Sequence, residues 1–326
     1  MRQKLLFHCH FGGTHGWGHL IRSSALAAEA KARGFHCILW TDGDSRNLID
    51  DIKNAFHTIT PELPNETFFA VIFDDHYITA EQIEAIPIIG RPHIVVVDDE
   101  GKRDLSFASL VVNPSLDAEK FSYPDVRSKC VGPEFALLRT SFRGSNNLRL
   151  KRMEDQAELE RRTNLAIMMG GTDILNLQPE VLRMSLRYFG SRLNPVLIGP
   201  EKPETREAIR EIIAQYPRVQ WFQHASGEVV AQILHQCRYA ISACGGAVYE
   251  LAACNVPFLG VVVAENQKYF GEAVQQYWGL PVIQANDLNE TTFRDAFVII
   301  EQTRPNFSGV DGQGAKRVIN TLRQLC

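Results

Sequence analysis

The residues of this chain best suited to chemistry are histidines and aspartates set among glycines. The densest group is Thr14-His15-Gly16-Trp17-Gly18-His19-Leu20-Ile21-Arg22, which follows Gly12 and Gly13. Glycine lets backbone approach a ligand closely, and the free N–H groups of a helix's first turn favour anions. His19 falls at that first turn, and an imidazole there can take a proton near neutral pH. It is the candidate general base. Asp75 and Tyr77, in Asp74-Asp75-His76-Tyr77, are candidates to orient a water or the imidazole. Arg22 reads either as a helix-surface charge or as a partner for a nearby carboxylate.

A second glycine turn lies in Ser242-Ala243-Cys244-Gly245-Gly246-Ala247-Val248-Tyr249-Glu250. Strand, paired glycines and helix form another anion cradle. Glu250 follows about one helical turn later, where a carboxylate can accept two hydrogen bonds from a ribose diol. Asn266 and Gln267 open a later helix, as caps or as donors to a bound sugar or phosphate. Gly170-Gly171-Thr172-Asp173 is a third turn of the same kind. His8 and His10 alternate on one strand face, on the same predicted edge as His15, His19, Asp74 and Asp75. That grouping suits zinc or manganese, but His-x-His spacing alone does not establish a site, so no metal and no cofactor is expected.

These residues need a scaffold that delivers them to one edge. Short apolar runs alternate with amphipathic ones throughout. Residues 5–7, 37–40, 68–73, 93–97 and 110–112 read as strands, and 20–32 (closed by Gly34), 45–56 and a segment opened by Thr79-Ala80-Glu81-Gln82 read as helices. Fully apolar strands between helices mean a parallel sheet covered on both faces. The polar clusters sit at strand C-terminal ends, the edge where open α/β sheets bind ligands. Asn113 is one of them. Residues 148–163 are highly charged and follow Gly144-Ser145-Asn146-Asn147, which reads as a linker. A second series then runs through strands 165–169, 195–199, 219–222, 239–242 and 257–263, with helices 179–189, 204–216, 228–236, 291–303 and 314–325. The expected fold is α/β, GT-B-like: a sugar and catalytic domain 1–147, a linker 148–163 and a nucleotide-binding domain 164–326, two doubly wound Rossmann-like domains with a cleft between them.

Composition narrows the function. With 326 residues, 45% hydrophobic and 22% charged, the chain has the profile of ordinary soluble proteins. A net charge of −4 gives no reason to expect nucleic acid. No apolar run approaches the ~20 residues of a membrane span. Seven scattered cysteines without Cys-x-x-Cys spacing argue against a disulfide framework or zinc knuckle. The expectation is a cytoplasmic monomer with reduced thiols.

Two family resemblances add to this reading. The second half resembles the uridine-diphosphate-binding half of MurG-type transferases through Ser242, Gly245-Gly246, Glu250, Pro257 and Asn266-Gln267. The whole chain is more similar still to the UDP-sugar hydrolases of pseudaminic acid biosynthesis, the PseG type. The matching pieces are Gly16-Trp17-Gly18-His19 with Arg22, Asp75-His76-Tyr77, Asp98-Asp99-Glu100, Asn113, and Phe135-Ala136-Leu137-Leu138-Arg139 with Phe142. They continue with Met169-Gly170-Gly171-Thr172-Asp173 and the stretch 242–250. The resemblance implies metal-free hydrolysis of UDP-2,4-diacetamido-2,4,6-trideoxy-β-L-altrose or a close relative to UDP and free sugar. It implies His19 as the base, with Tyr77 beside the sugar. One pulled charge pattern differs: where that family carries Arg-x-Asp after the first strand, this chain has His8-Cys9-His10. Backbone N–H groups at 170–172 and 245–246 could meet the leaving group's charge, and a single displacement would invert C1. The rival is an inverting GT-B glycosyltransferase, disfavoured by the lack of a basic-apolar patch for a lipid acceptor in the first half. A non-enzymatic UDP-sugar binder is the remaining class, and His19 with Asp75-His76-Tyr77 argues against it.

Overall fold

Lys4–His8 forms the strand β1 because its residues are apolar on both sides of the pleat, and a strand in mid-sheet is covered on both. In the computed structural model, which describes residues 2–12, 17–75, 78–144 and 161–325, β1 lies between β2 (His36–Trp40) and β4 (Ala70–Phe73). The remaining strands of this sheet are β3 (Thr58–Thr60), β5 (His93–Val97), β6 (Leu110–Asn113) and β7 (Ser128–Val131). All pairings are parallel, in the order β3-β2-β1-β4-β5-β6-β7. The chain winds outward one way from β1 and then returns to β4 to wind the other way. The β1–β4 junction is therefore the switch point, where open sheets bind ligands beyond the strand C-termini.

Strand alternation sorts the side chains onto two faces. Leu5, Phe7 and Cys9 of β1 and its extension join Ile72 of β4 in the cluster under helix α1 (Gly18–Ala32), with Leu20, Leu26, Ala27 and Ala30. Leu6 joins Val71 and Phe73 of β4 in the cluster on the other face. Helix α1 ends as its sequence requires. Gly34 takes φ +90°, its N–H donates to Lys31 O, and the N–H of Phe35 donates to Ala30 O, which is a Schellman close. The expected helix over 45–56 is divided. A 3-10 turn covers Ser45–Asn47 and an α-helix covers Asp50–Ala55, because Leu48 takes extended backbone and is buried between them.

The second unit repeats the plan. Its strands are β8 (Asn164–Met168), β9 (Asn194–Ile198), β10 (Gln220–Phe222), β11 (Cys237–Ala243), β12 (Phe258–Val262) and β13 (Val282–Gln284). They are parallel in the order β10-β9-β8-β11-β12-β13, so the switch point lies between β8 and β11. The expected helices appear at Gln178–Phe189, Pro203–Gln215, Gly227–Gln236 and Glu290–Gln302.

The domain division differs from the sequence reading at its C-terminal end. The second unit runs to Ser308, and the chain from Gly309 onward packs with the first. The reason is the terminal helix Gly314–Arg323, whose Ala315, Val318, Ile319 and Leu322 complete the apolar cluster under α1. Of the expected linker, 148–160 lies outside the described residues. Arg162, at its end, is buried and donates to the Cys237 carbonyl at 3.1 Å. No helix among the described residues is long and apolar enough to cross a membrane.

Candidate active site

The switch point of the first sheet holds two consecutive aspartates after β4 and two after β5, and strand alternation divides each pair between the faces. Asp74 and Asp99 go to the α1 face. There Asp74 Oδ1 accepts from His19 Nδ1 at 2.7 Å, and the Arg22 guanidinium donates to both Asp74 oxygens, Nε to Oδ2 at 2.8 Å. Arg22 Nη1 donates to both oxygens of Asp99 at 2.8 Å, and Ser23 Oγ to Asp74 Oδ2 at 3.1 Å. A carboxylate only accepts, so Nδ1 of His19 carries the hydrogen of that bond. The His19 side chain is 16% exposed, whereas that of Asp74 is 0% exposed. Burial alone would push the Asp74 carboxyl up, but the charges of Arg22 and His19 outweigh it and hold it well below the usual carboxylate range. Burial likewise opposes the charge on Arg22, and Asp74 with Asp99 overrides that, so the guanidinium stays charged.

Asp75 and Asp98 go to the other face. His8 and His10 share that face with Asp75, since they alternate with Cys9 along β1 and its extension. His10 Nε2 lies 3.4 Å from Asp75 Oδ2, and its Nδ1 lies 2.7 Å from Asp42 Oδ1. His8 Nδ1 donates to the Trp40 carbonyl at 3.2 Å. Burial holds the His8 imidazole below its ordinary range, against the pull of the Trp40 carbonyl. One potential ligand atom from each of His8, His10 and Asp75 falls within 4.8 Å of the others. Asp98 is tied down separately. Arg103 donates to Asp98 Oδ1 at 3.0 Å and to the Asp75 carbonyl at 2.8 Å, while Tyr123 OH donates to Asp98 Oδ2 at 2.7 Å.

In the second unit, both glycine turns lie at the strand ends flanking the switch point. Gly170 takes φ +84°, and a Cβ there would lie 4.0 Å from that of Ala243 at the end of β11. Gly171 is exposed and Thr172 half-buried. Asp173 turns inward, and its carboxylate accepts from the N–H groups of Leu177 and Gln178, starting the helix Gln178–Phe189. A Cβ on Gly245 would lie 3.8 Å from Gln267 Nε2, and Gln267 Oε1 accepts from the Val263 N–H at 3.1 Å. Glu250 is buried in the first turn of the helix Ala247–Ala253.

The structure therefore brings together His19, Arg22 and the helix start at Gly18, and separately Gly170, Gly245 and Gln267. It gives other expected residues different work. Arg22 is the carboxylate partner, not a surface charge. Asp75 belongs to the His8–His10 face, and the group that orients the imidazole is Asp74. Asn113 is 0% exposed, with Nδ2 donating to Tyr123 OH and Oδ1 accepting from Ser115 N–H, so its amide braces the Asp98 side. Ser242 is 0% exposed and donates to the Ala243 carbonyl at 3.0 Å. Gly246 and Asn266 are exposed. Gly16 and Tyr77 lie outside the described residues. Sequence reasoning missed Asp74 as the imidazole's partner and Asp42 as a partner of His10. The six described cysteines are buried thiols, and burial pushes Cys130 up to about 11 and Cys37, Cys237 and Cys244 to about 12.

No protein-family model matches the chain. Among solved structures, MurG of Acinetobacter baumannii superposes with a TM-score of 0.65 at 12% identity, over 99% of this chain and 100% of that one. The UDP-GlcNAc 2-epimerase of Neisseria meningitidis bound to UDP-GlcNAc gives 0.61 at 12% identity, over the same shares of the two chains. The fold is GT-B. This GT-B chain is 23% identical over 277 residues to the UDP-2,4-diacetamido-2,4,6-trideoxy-beta-L-altropyranose hydrolase of Campylobacter jejuni. The match spans 81% of this chain and 93% of that protein. It agrees with the resemblance carried by the motifs around His19, Asp75 and Gly170.

Proposed function

We propose that this protein is a UDP-sugar hydrolase. It cleaves the anomeric C–O bond of a UDP-2,4-diacetamido-2,4,6-trideoxyhexose, UDP-6-deoxy-AltdiNAc or a close relative, to UDP and the free sugar. The pathway would be pseudaminic or another nonulosonic acid biosynthesis. The observation that carries the reading is the Asp74–His19 contact at 2.7 Å on the switch-point edge of a GT-B first unit. The name of the Campylobacter relative supports the substrate class.

The chemistry follows from the groups present. Water attacks C1 as His19 Nε2 removes its proton, forming the new C1–O bond while the C1–O bond to the pyrophosphate breaks. Asp74 holds the Nδ1–H and so keeps Nε2 aimed at the water. Two carboxylates, Asp74 and Asp99, against one guanidinium, Arg22, leave negative charge to accompany the proton taken up. Pyrophosphate leaves as an anion, so it needs N–H donors more than a proton. Backbone at Gly170-Gly171 and Gly245-Gly246 supplies them, and Glu250 accepts from the ribose. This displacement needs no metal and inverts C1. The protein acts as a cytoplasmic monomer on this reading.

The same fold hosts transferases, with a sugar or lipid hydroxyl in place of water. Incubating the protein alone with UDP-diacetamido-trideoxyhexoses and following the anomers by NMR tests the reading. Stoichiometric UDP with an inverted free sugar is expected. Intact donor without an acceptor would instead indicate a transferase.

A further inference from the structure

The sheet face away from His19 carries a group that the hydrolytic step leaves unused. We propose that His8 Nε2, His10 Nε2 and the Asp75 carboxylate bind a first-row divalent transition ion, with zinc as the reference case. The inference stands apart from the hydrolase reading, because the group is complete without any substrate.

Three observations carry it. The first is placement. β1 and β4 are parallel neighbours, Asp74 N–H donates to the His8 carbonyl at 2.9 Å, and alternation puts His8, His10 and Asp75 on one face of that pair. The second is distance. His10 Nε2 and Asp75 Oδ2 are 3.4 Å apart. Two ligands of a tetrahedral zinc at about 2.0–2.1 Å are separated by about 3.4 Å. The three ligand atoms lie within 4.8 Å. Drawing the widest pair to the same edge takes about 1.4 Å, which imidazole rotation about its broad χ2 torsion can supply.

The third observation is the setting of the two rings. His10 gives its Nδ1–H to the Asp42 carboxylate, and His8 gives its Nδ1–H to the Trp40 carbonyl. Both acceptors hold the Nδ1 side of the ring and leave Nε2 as the nitrogen that a metal would take on losing its proton. That is how metal-binding histidines are held, with a carboxylate or carbonyl behind the ring. Two imidazoles favour a transition ion over magnesium or calcium, which prefer oxygen. Three protein ligands leave further positions open to water or to a substrate oxygen. The His10 side chain, 30% exposed, is the side of entry, while His8 and Asp75 are buried.

The test uses the full-length protein without a histidine tag, stripped by a chelator. It is titrated with zinc by calorimetry and with cobalt(II) by visible absorption. One equivalent of zinc is expected, with a cobalt spectrum of low coordination number, and magnesium should not compete. His10→Ala should lose ~10²-fold or more in zinc affinity. Asp42→Asn, at an exposed position that only backs the ring, should lose about 10–100-fold. It also keeps the test decisive if His10→Ala folds poorly. His19→Gln should bind zinc as the wild type does. Zinc affinity unchanged in both His10→Ala and Asp42→Asn, binding well below one equivalent, or equal affinity for magnesium would overturn the site and leave His10–Asp75 as an ion pair only. Hydrolysis is measured in a separate assay, so zinc binding without UDP release would refute the function and not the site.

Discussion

His19 is held by a partner that its neighbours in sequence do not advertise. Replacing it with Gln should cost about 10²–10⁴-fold in turnover, the usual contribution of general-base catalysis. UDP affinity should stay near wild type, because the nucleotide is assigned to the second unit; a loss seen in KM alone would remove His19 from the base role. Asp74→Asn should lower kcat while leaving UDP binding intact, since an amide no longer fixes the Nδ1–H tautomer. Glu250→Ala should weaken UDP itself, measured by calorimetry, because each charge-assisted bond to a ribose hydroxyl is worth about 1.5–3 kcal/mol. His19 was legible as a candidate in the glycine-rich turn, and its carboxylate partner was not. Asp74 and Asp75 are adjacent and identical, and successive strand residues face opposite sides. Only the position of α1 tells which of the two meets His19. The same parity separates Asp98, bonded to Arg103 and Tyr123, from Asp99, bonded to Arg22.

Helix α1 carries His19 at one end and an anchor at the other. Near its C-terminus Glu29 accepts from Arg33 Nε at 2.9 Å and also pairs with Arg143, the last residue of the first unit's long segment. Burial raises the Glu29 carboxyl and the two guanidinium hydrogen bonds outweigh it, so its folded value lies below the ordinary 4.5. A depressed folded value stabilises the fold above the unfolded value, and that stabilisation is lost as pH falls through the folded one. Glu29→Gln should therefore lower stability near pH 7 by about 1 kcal/mol. Denaturant titrations across pH should show wild type and mutant converging only below pH 4.5. The interior strands were legible as apolar runs. The strands β3, β7 and β13 were not. Each is the last strand of its sheet, paired on one side only. Thr58-Ile59-Thr60 and Ser128-Lys129-Cys130-Val131 accordingly mix polar and apolar residues, and such segments carry no continuous hydrophobic signal.

At the scale of the molecule, the sequence showed two α/β series but not which sheet claims the last helix. Helical periodicity says that Gly314–Arg323 has an apolar stripe; it does not say what the stripe covers. In the structure Val318, Ile319, Leu322 and Leu325 are at most 5% exposed in the cluster under α1. Aliphatic side chains of this kind contribute about 1.5–3 kcal/mol each when buried, and a domain's whole stability is about 5–15 kcal/mol. A chain ending at Ser308 should therefore lose hydrogen-exchange protection throughout the first sheet and keep it in the second. Equal protection in both would show that the terminal helix is dispensable. This return of the chain also orders events on the ribosome. The usual order, in which the N-terminal domain folds first, cannot run to completion here. Residues up to 308 give the second unit all its strands while the first still waits for its final helix. During that interval the nascent chain displays the apolar flank of α1, so the first unit completes its core only after the second has all its strands.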